Sequence, residues 1–169
     1  LRLGLPVLLR DRGLVSLAFA AETVSSARFG EFRTLSGEAS LAITARRAET
    51  LKAAAYDGDL ARLEIPNGAT CGWVWSVADP ADDLRVPMKG PFRVRRGGSA
   101  RAHRLILQLA KDARLLPAAL VCELSDDSAV SADLTVLDIE GLGDEVTSAV
   151  ALSEVISARV PLSVSEAGR

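Results

Sequence analysis

The sequence is poor in the residues from which most recognisable sites are built. It has one histidine, His103, and two cysteines, Cys71 and Cys122, with no CxxC pair. That excludes a zinc site of the usual Cys/His kind, whose ligands come in closely spaced pairs. The two thiols read as free and buried in a reducing, cytoplasmic setting. Aromatic residues make up only 4% of the chain, so the core must be aliphatic, built from Ala, Leu and Val. No GxGxxG, GxxxxGK[ST] or GxSxG string occurs, which removes the dinucleotide, P-loop and nucleophile-elbow signatures. Long apolar runs are also missing. The stretch Leu1 to Leu9 is short and broken by Arg2, Gly4 and Pro6, and reads as neither signal peptide nor membrane span. The net charge of −2 gives no bulk attraction to nucleic acid or to an anionic membrane.

What is present is ordinary for a globular domain. At 169 residues, one domain is expected, with 49% hydrophobic and 25% charged residues. The sole methionine is Met88, and the chain stops at Arg169 just after a strand-like stretch. The expectation is a piece of a longer protein: a domain over residues 1–162, then the start of a linker over 163–169.

Pro6 to Arg10 and Leu14 to Ala21 predict two strands, the second buried on both faces, joined by a turn at Asp11-Arg12-Gly13. Ser25 or Ser26 caps a helix reaching about Leu35, ended by Gly37. Ser40 to Ile43 is a short strand, and Thr44 caps a helix from Ala45 to about Ala55 that Asp57-Gly58 closes. Pro66-Asn67-Gly68 and Asp79-Pro80 mark turns, and Cys71 to Val77 reads as a strand with Trp73 and Trp75 on one face. A Gly/Pro/Arg loop covers Pro87 to Gly98, and a helix follows from about Ser99 to Leu116, stopped by Pro117. The rest reads as a strand Ala118 to Leu124, a polar loop to Ser131, a strand Leu134 to Ile139, a helix Glu145 to Ser157 and a strand Ala158 to Leu162. Without a regular βαβ period, an α+β or complex α/β sheet is favoured over a doubly wound one.

One cluster stands out chemically. Lys89, Arg93, Arg95, Arg96, Arg101 and Arg104 fall in sixteen residues with no acid among them, together with His103. Cations near a helix N-terminus, with Gly97-Gly98 offering backbone N–H groups, suit a phosphate or other anion. The alternatives are a solvated loop or a surface docked on an acidic partner. The neighbouring acids Asp82-Asp83 and Asp126-Asp127 read as solvated turn residues, Trp73 and Trp75 as packing, and His103, lacking a carboxylate beside it, as structural or exposed.

A resemblance extends this reading. Gly13 to Val24 followed by Leu41 to Glu49 resembles the opening of 3,4-dihydroxy-2-butanone-4-phosphate synthase. Ala78-Asp79-Pro80, the Pro87 to Gly98 loop, and Leu109 to Leu124 resemble its second half. The resemblance implies an α+β fold, a mixed sheet packed with helices, and a homodimer. It also implies magnesium-dependent chemistry on ribulose 5-phosphate in riboflavin synthesis. The family's metal-binding Glu falls on Leu14, however, and the Asp of its acidic loop on Ser16. Its metal-binding His falls on Ala102, or on His103 after a one-residue shift; its following Glu falls on Arg104, and its usual Cys on Ser40. Such chemistry needs a cation to polarise the carbonyl and carboxylates to move protons. The implied reading is a catalytically silent domain with no cofactor of its own.

Pro87 to Phe92, Leu115 to Val121 and Ser157 to Leu162 resemble strings found in bacterial GTP cyclohydrolase II proteins that carry such an N-terminal domain. A C-terminal cyclohydrolase domain is then the implied partner. Two alternatives stay open: an active synthase, which would use magnesium, or a sugar-phosphate sensor built on the Arg93 to Arg104 cluster.

Overall fold

The computed structural model describes residues 1–35, 37–124 and 134–140. The expected helix Glu145 to Ser157, the strand Ala158 to Leu162, the loop around Asp126-Asp127 and the linker lie outside these residues.

Strands β1 (Val7–Asp11), β2 (Leu14–Ala20), β3 (Gly37–Thr44), β4 (Leu60–Glu64), β5 (Ala118–Leu124) and β6 (Thr135–Asp138) form one sheet in the order β4-β3-β5-β2-β1-β6. All neighbours are antiparallel except β1 and β6, so the sheet is mixed. The β1–β2 hairpin closes on Arg12 and Gly13, both at positive φ, the conformation a tight two-residue turn requires.

Helices α1 (Ser26–Arg33), α2 (Ala45–Thr50) and α3 (Cys71–Ala78) lie on one side of the sheet, and α4 (Arg101–Asp112) on the other. The period-2 alternation of the central strands divides the core accordingly. Leu17, Phe19, Leu41, Ile43, Leu120 and Cys122 pack with Phe29 and Phe32 of α1 and Val74 and Val77 of α3. Ala18, Ala42, Ala119 and Val121 face Leu105, Ile106 and Leu107 of α4. Three alanines on that second face let α4 approach closely; Ala42 and Ala119 sit opposite each other in the ladder.

Local chemistry fixes the helix starts. The Ser25, Thr44 and Thr70 side chains each accept a backbone N–H from the first turn of α1, α2 and α3. Thr70 explains the main correction: Cys71–Ala78 is a helix, not a strand. An almost wholly apolar segment carries no period, so the cap decides the outcome. Trp73 and Trp75 therefore do not share a face. Trp73 packs against Phe92 and donates from Nε1 to the Lys89 carbonyl, whereas Trp75 is exposed.

Helix α2 ends at Thr50 rather than Ala55 because Lys52 turns into the left-handed region at φ 59°. Gly37 does not end α1; it opens β3, where a Cβ would lie 2.1 Å from the Glu123 carbonyl oxygen on β5. Strand β4 escapes the sequence pattern. Its outer side is met by the Gly90–Arg95 segment, through Glu64 N–H to Arg93 O (2.9 Å), Arg95 N–H to Arg62 O (2.8 Å) and a bridge between Leu63 and Val94.

Candidate functional site

The polar residues that could carry chemistry gather between α4 and the sheet. Ser40 on β3 and Arg62 on β4 flank Ala42, on the face that α4 covers. His103 reaches down from the first turn of α4, and its Nε2 lies 3.0 Å from Ser40 Oγ. Ser40, Arg62 and His103 are all fully buried. Arg62 donates through Nε and Nη2 to both oxygens of Asp57, at 2.8 and 2.9 Å, and through Nη2 to the Gly97 carbonyl at 2.6 Å. Its Nη1 and the His103 Nδ1 are buried without a hydrogen-bond partner. Burial, reinforced by the nearby positive charges of Arg62, Arg95 and Arg104, pushes the His103 pKa down to about 3. The imidazole is neutral at physiological pH, out of reach of any ligand in solvent.

The cations that sequence reasoning grouped into one loop are dispersed by the fold. Arg95 pairs with Glu38 and Glu123. Arg101 pairs with Asp11 at 3.1 Å and donates to the Ile139 carbonyl. Arg104 grips both oxygens of Asp59 at 2.8 Å; burial pushes the Asp59 pKa up, but the Arg104 hydrogen bonds, its own backbone N–H and the charges of Arg104 and Lys111 together leave it below its ordinary value. The acids come from β1, β3, β5 and the segment before β4, so their nearness to the arginines is a product of topology. Lys89 lies on the opposite side, buried beside Asp83. Arg93 and Arg96 face solvent, Arg96 stacked over the Tyr56 ring with its guanidinium carbon 4.2 Å from the centroid.

Asp83 is not the solvated turn residue expected. Buried Arg47 donates to its two oxygens at 2.6 and 2.7 Å, and Lys89 donates to one of them. Arg47 also holds the Val77 and Ser76 carbonyls at the end of α3. The Arg47 hydrogen bonds, with help from Lys89, keep the Asp83 carboxyl well below the usual carboxylate range. Arg47 and Arg62 were both missed from sequence. An arginine inside a helix or strand carries no mark that it points inward.

No group of three or more His, Cys, Asp or Glu residues among the described residues is arranged to hold a metal ion. Where the resemblance puts metal-binding and catalytic carboxylates stand Leu14, more than half exposed, and Ser16, buried in β2. An alkyl chain and a single hydroxyl do not fit a hard dication, which takes carboxylate oxygens. Cys71 and Cys122 are buried free thiols, both pushed up in pKa chiefly by burial. Among the described residues no helix is long and apolar enough to cross a membrane.

No family model matches the sequence. It is 30% identical to a GTP cyclohydrolase-2 of Azospirillum brasilense over 162 residues, covering 91% of this chain and 42% of that relative. The chain thus spans less than half of the relative's length. Among solved structures, a 3,4-dihydroxy-2-butanone 4-phosphate synthase of Candida albicans superposes with a TM-score of 0.57 at 19% identity, over 80% of this chain and 88% of that one. A two-domain synthase of A. baumannii gives 0.53 at 17%, over 82% of this chain and 53% of the other. Likeness at these identities is likeness of fold, and it matches the mixed six-stranded sheet with helices on both faces. The chain is a domain with the 3,4-dihydroxy-2-butanone-4-phosphate synthase fold, similar in sequence to part of a GTP cyclohydrolase-2.

Proposed function

We propose that this domain is a non-catalytic, structural part of a riboflavin-pathway protein, a GTP cyclohydrolase II, where it supports folding and dimerisation of the whole chain. The observation that carries the reading is a mismatch between fold and donor set. The fold is that of a synthase, yet the positions to which the resemblance assigns the synthase's acids hold Leu14 and Ser16. His103, the one imidazole, is sealed against Ser40. The relative in sequence carries the name of a different enzyme, a cyclohydrolase, and extends well beyond the aligned region. Both facts favour a synthase-like domain kept for its shape. Its partners are then a second copy and the cyclohydrolase domain of the same chain, and it needs no cofactor of its own.

The test is direct. The full-length protein is incubated with ribulose 5-phosphate and magnesium, and formation of the four-carbon phosphate product is followed. No turnover is expected, while GTP hydrolysis by the same preparation persists. Turnover of ribulose 5-phosphate above background would overturn the reading. Light scattering tests the dimer, and monomers at high concentration would remove dimerisation from the proposal.

A further inference from the structure

We infer that the groove outside β4 is a binding site for a small phosphorylated ligand, a phosphate ester or pyrophosphate-bearing metabolite. The inference stands apart from the structural role proposed above, since a silent domain can still hold a ligand.

The groove has a volume of about 500 Å³ and is lined by Lys52, Tyr56, Glu64, Phe92, Arg93 and Arg96 together with small residues. That is the size of small-molecule sites, which span roughly 300–1,000 Å³. Three cations face one carboxylate. Their charge is uncompensated in a way that the neighbouring arginines' is not: Arg95, Arg101 and Arg104 are each committed to a carboxylate. Arg96 is instead positioned by a phenol, stacked on the Tyr56 ring and donating to its hydroxyl. This fixes a guanidinium fork without neutralising it, and such a fork matches the oxygens of a phosphate.

Lys52 adds an independent observation. It occupies the left-handed position just past the end of α2, at φ 59°, where helices most often place glycine. Arg114 takes the same conformation past the end of α4, so the backbone here serves to set where the lysine stands at the rim of the groove. Its neighbours hold it firmly, with Lys52 N–H bonded to Glu49 O and Ala53 N–H to Ala48 O. The other wall is equally fixed: the Arg93 carbonyl accepts the Glu64 N–H, and Arg95 N–H donates to the Arg62 carbonyl on β4. The site is therefore preformed, and its cations come from two segments far apart in sequence. The lining is mostly polar, with Phe92 supplying an apolar contact at its edge.

Inorganic pyrophosphate is the probe, titrated calorimetrically into the full-length protein, the Lys52→Gln/Arg93→Gln double variant and an Arg85→Gln control. Arg85 is an exposed arginine outside the groove. The wild type and the control should bind alike, and the double variant at least tenfold more weakly, with the melting transition retained. Should the double variant lose its fold, Arg96→Gln alone carries the same test. The inference is overturned if pyrophosphate gives no binding to wild type, if the groove variants bind as well as wild type, or if the Arg85 control weakens binding equally.

Discussion

The His103 imidazole and the Ser40 hydroxyl meet 3.0 Å apart beneath α4, and neither side chain reaches solvent. The folded protein holds His103 neutral, with a pKa near 3 against an ordinary 6.5. Between those values the unfolded chain binds a proton that the native state refuses. Stability is then complete above pH 6.5 and falls as the pH drops toward 3, by about 1.4 kcal/mol per unit. Asp83 acts in a lower range. Its pKa is depressed below 3.8, so its contribution is present above that value and fades only as the pH falls through the native value. Urea titrations at pH 6.5 and pH 5 should therefore differ by about 2 kcal/mol in wild type. In His103→Gln, which keeps a hydrogen-bonding side chain without the titration, most of that difference should vanish. Equal slopes in the two proteins would contradict this account.

Replacing Asp83 with Asn should cost stability out of proportion to its position in a turn. Arg47 and Lys89, both buried, would be left as neighbouring like charges. Breaking a fully buried pair costs about 3–5 kcal/mol. Asp83 is partly exposed and Arg47 keeps its carbonyl partners, so a loss of about 2 kcal/mol is expected. Adding Lys89→Met should recover part of it, and thermal melts of the single and double variants measure the coupling.

Gly37→Ala places a methyl group against the Glu123 carbonyl, where the close approach of β3 and β5 leaves no room. The expected cost is about 3 kcal/mol, at the upper end for a single substitution. Hydrogen exchange should quicken at the start of β3 and the end of β5, and an unchanged melting temperature would refute the prediction.

The alanine face beneath α4 predicts intolerance of volume. Ala42→Leu adds three carbons under Ile106 and its neighbours, and overpacking of this kind costs about 1–3 kcal/mol. A larger residue at exposed Ala54 serves as the control. Reduced exchange protection in α4 alone would locate the strain where the packing puts it.

How far the sequence could be read depended on whether a segment's fate was decided locally. Ala118–Leu124 was legible end to end, because Pro117 and the polar residues beyond bracket an apolar run. The caps at Ser25 and Thr44 were legible too. Strand β4 was not: with Arg62 pointing inward, its five residues show no apolar alternation, and the compensating Asp57 contact is visible only in the fold. The synthase-like architecture came through the resemblance, carried by motif order and not by periodicity. The basic loop was legible as composition, but its consequences were not. Glu38, Asp59 and Asp11, which take up three of its arginines, lie on other elements. The groove of Lys52, Arg93 and Arg96 likewise depends on a helix ending earlier than its sequence suggests.

The segment laid against β4 also bears on how copies of this chain can associate. On the outward side of that strand the Arg62 carbonyl and the Glu64 N–H are already hydrogen-bonded to the Gly90–Arg95 segment. The segment obstructs extension of the ladder there by strand addition, the route by which open sheets recruit one another into swapped dimers and fibrils. Self-association at that end is left to side chains, which makes it reversible, salt-sensitive and open to adjustment by surface substitutions that leave the sheet intact.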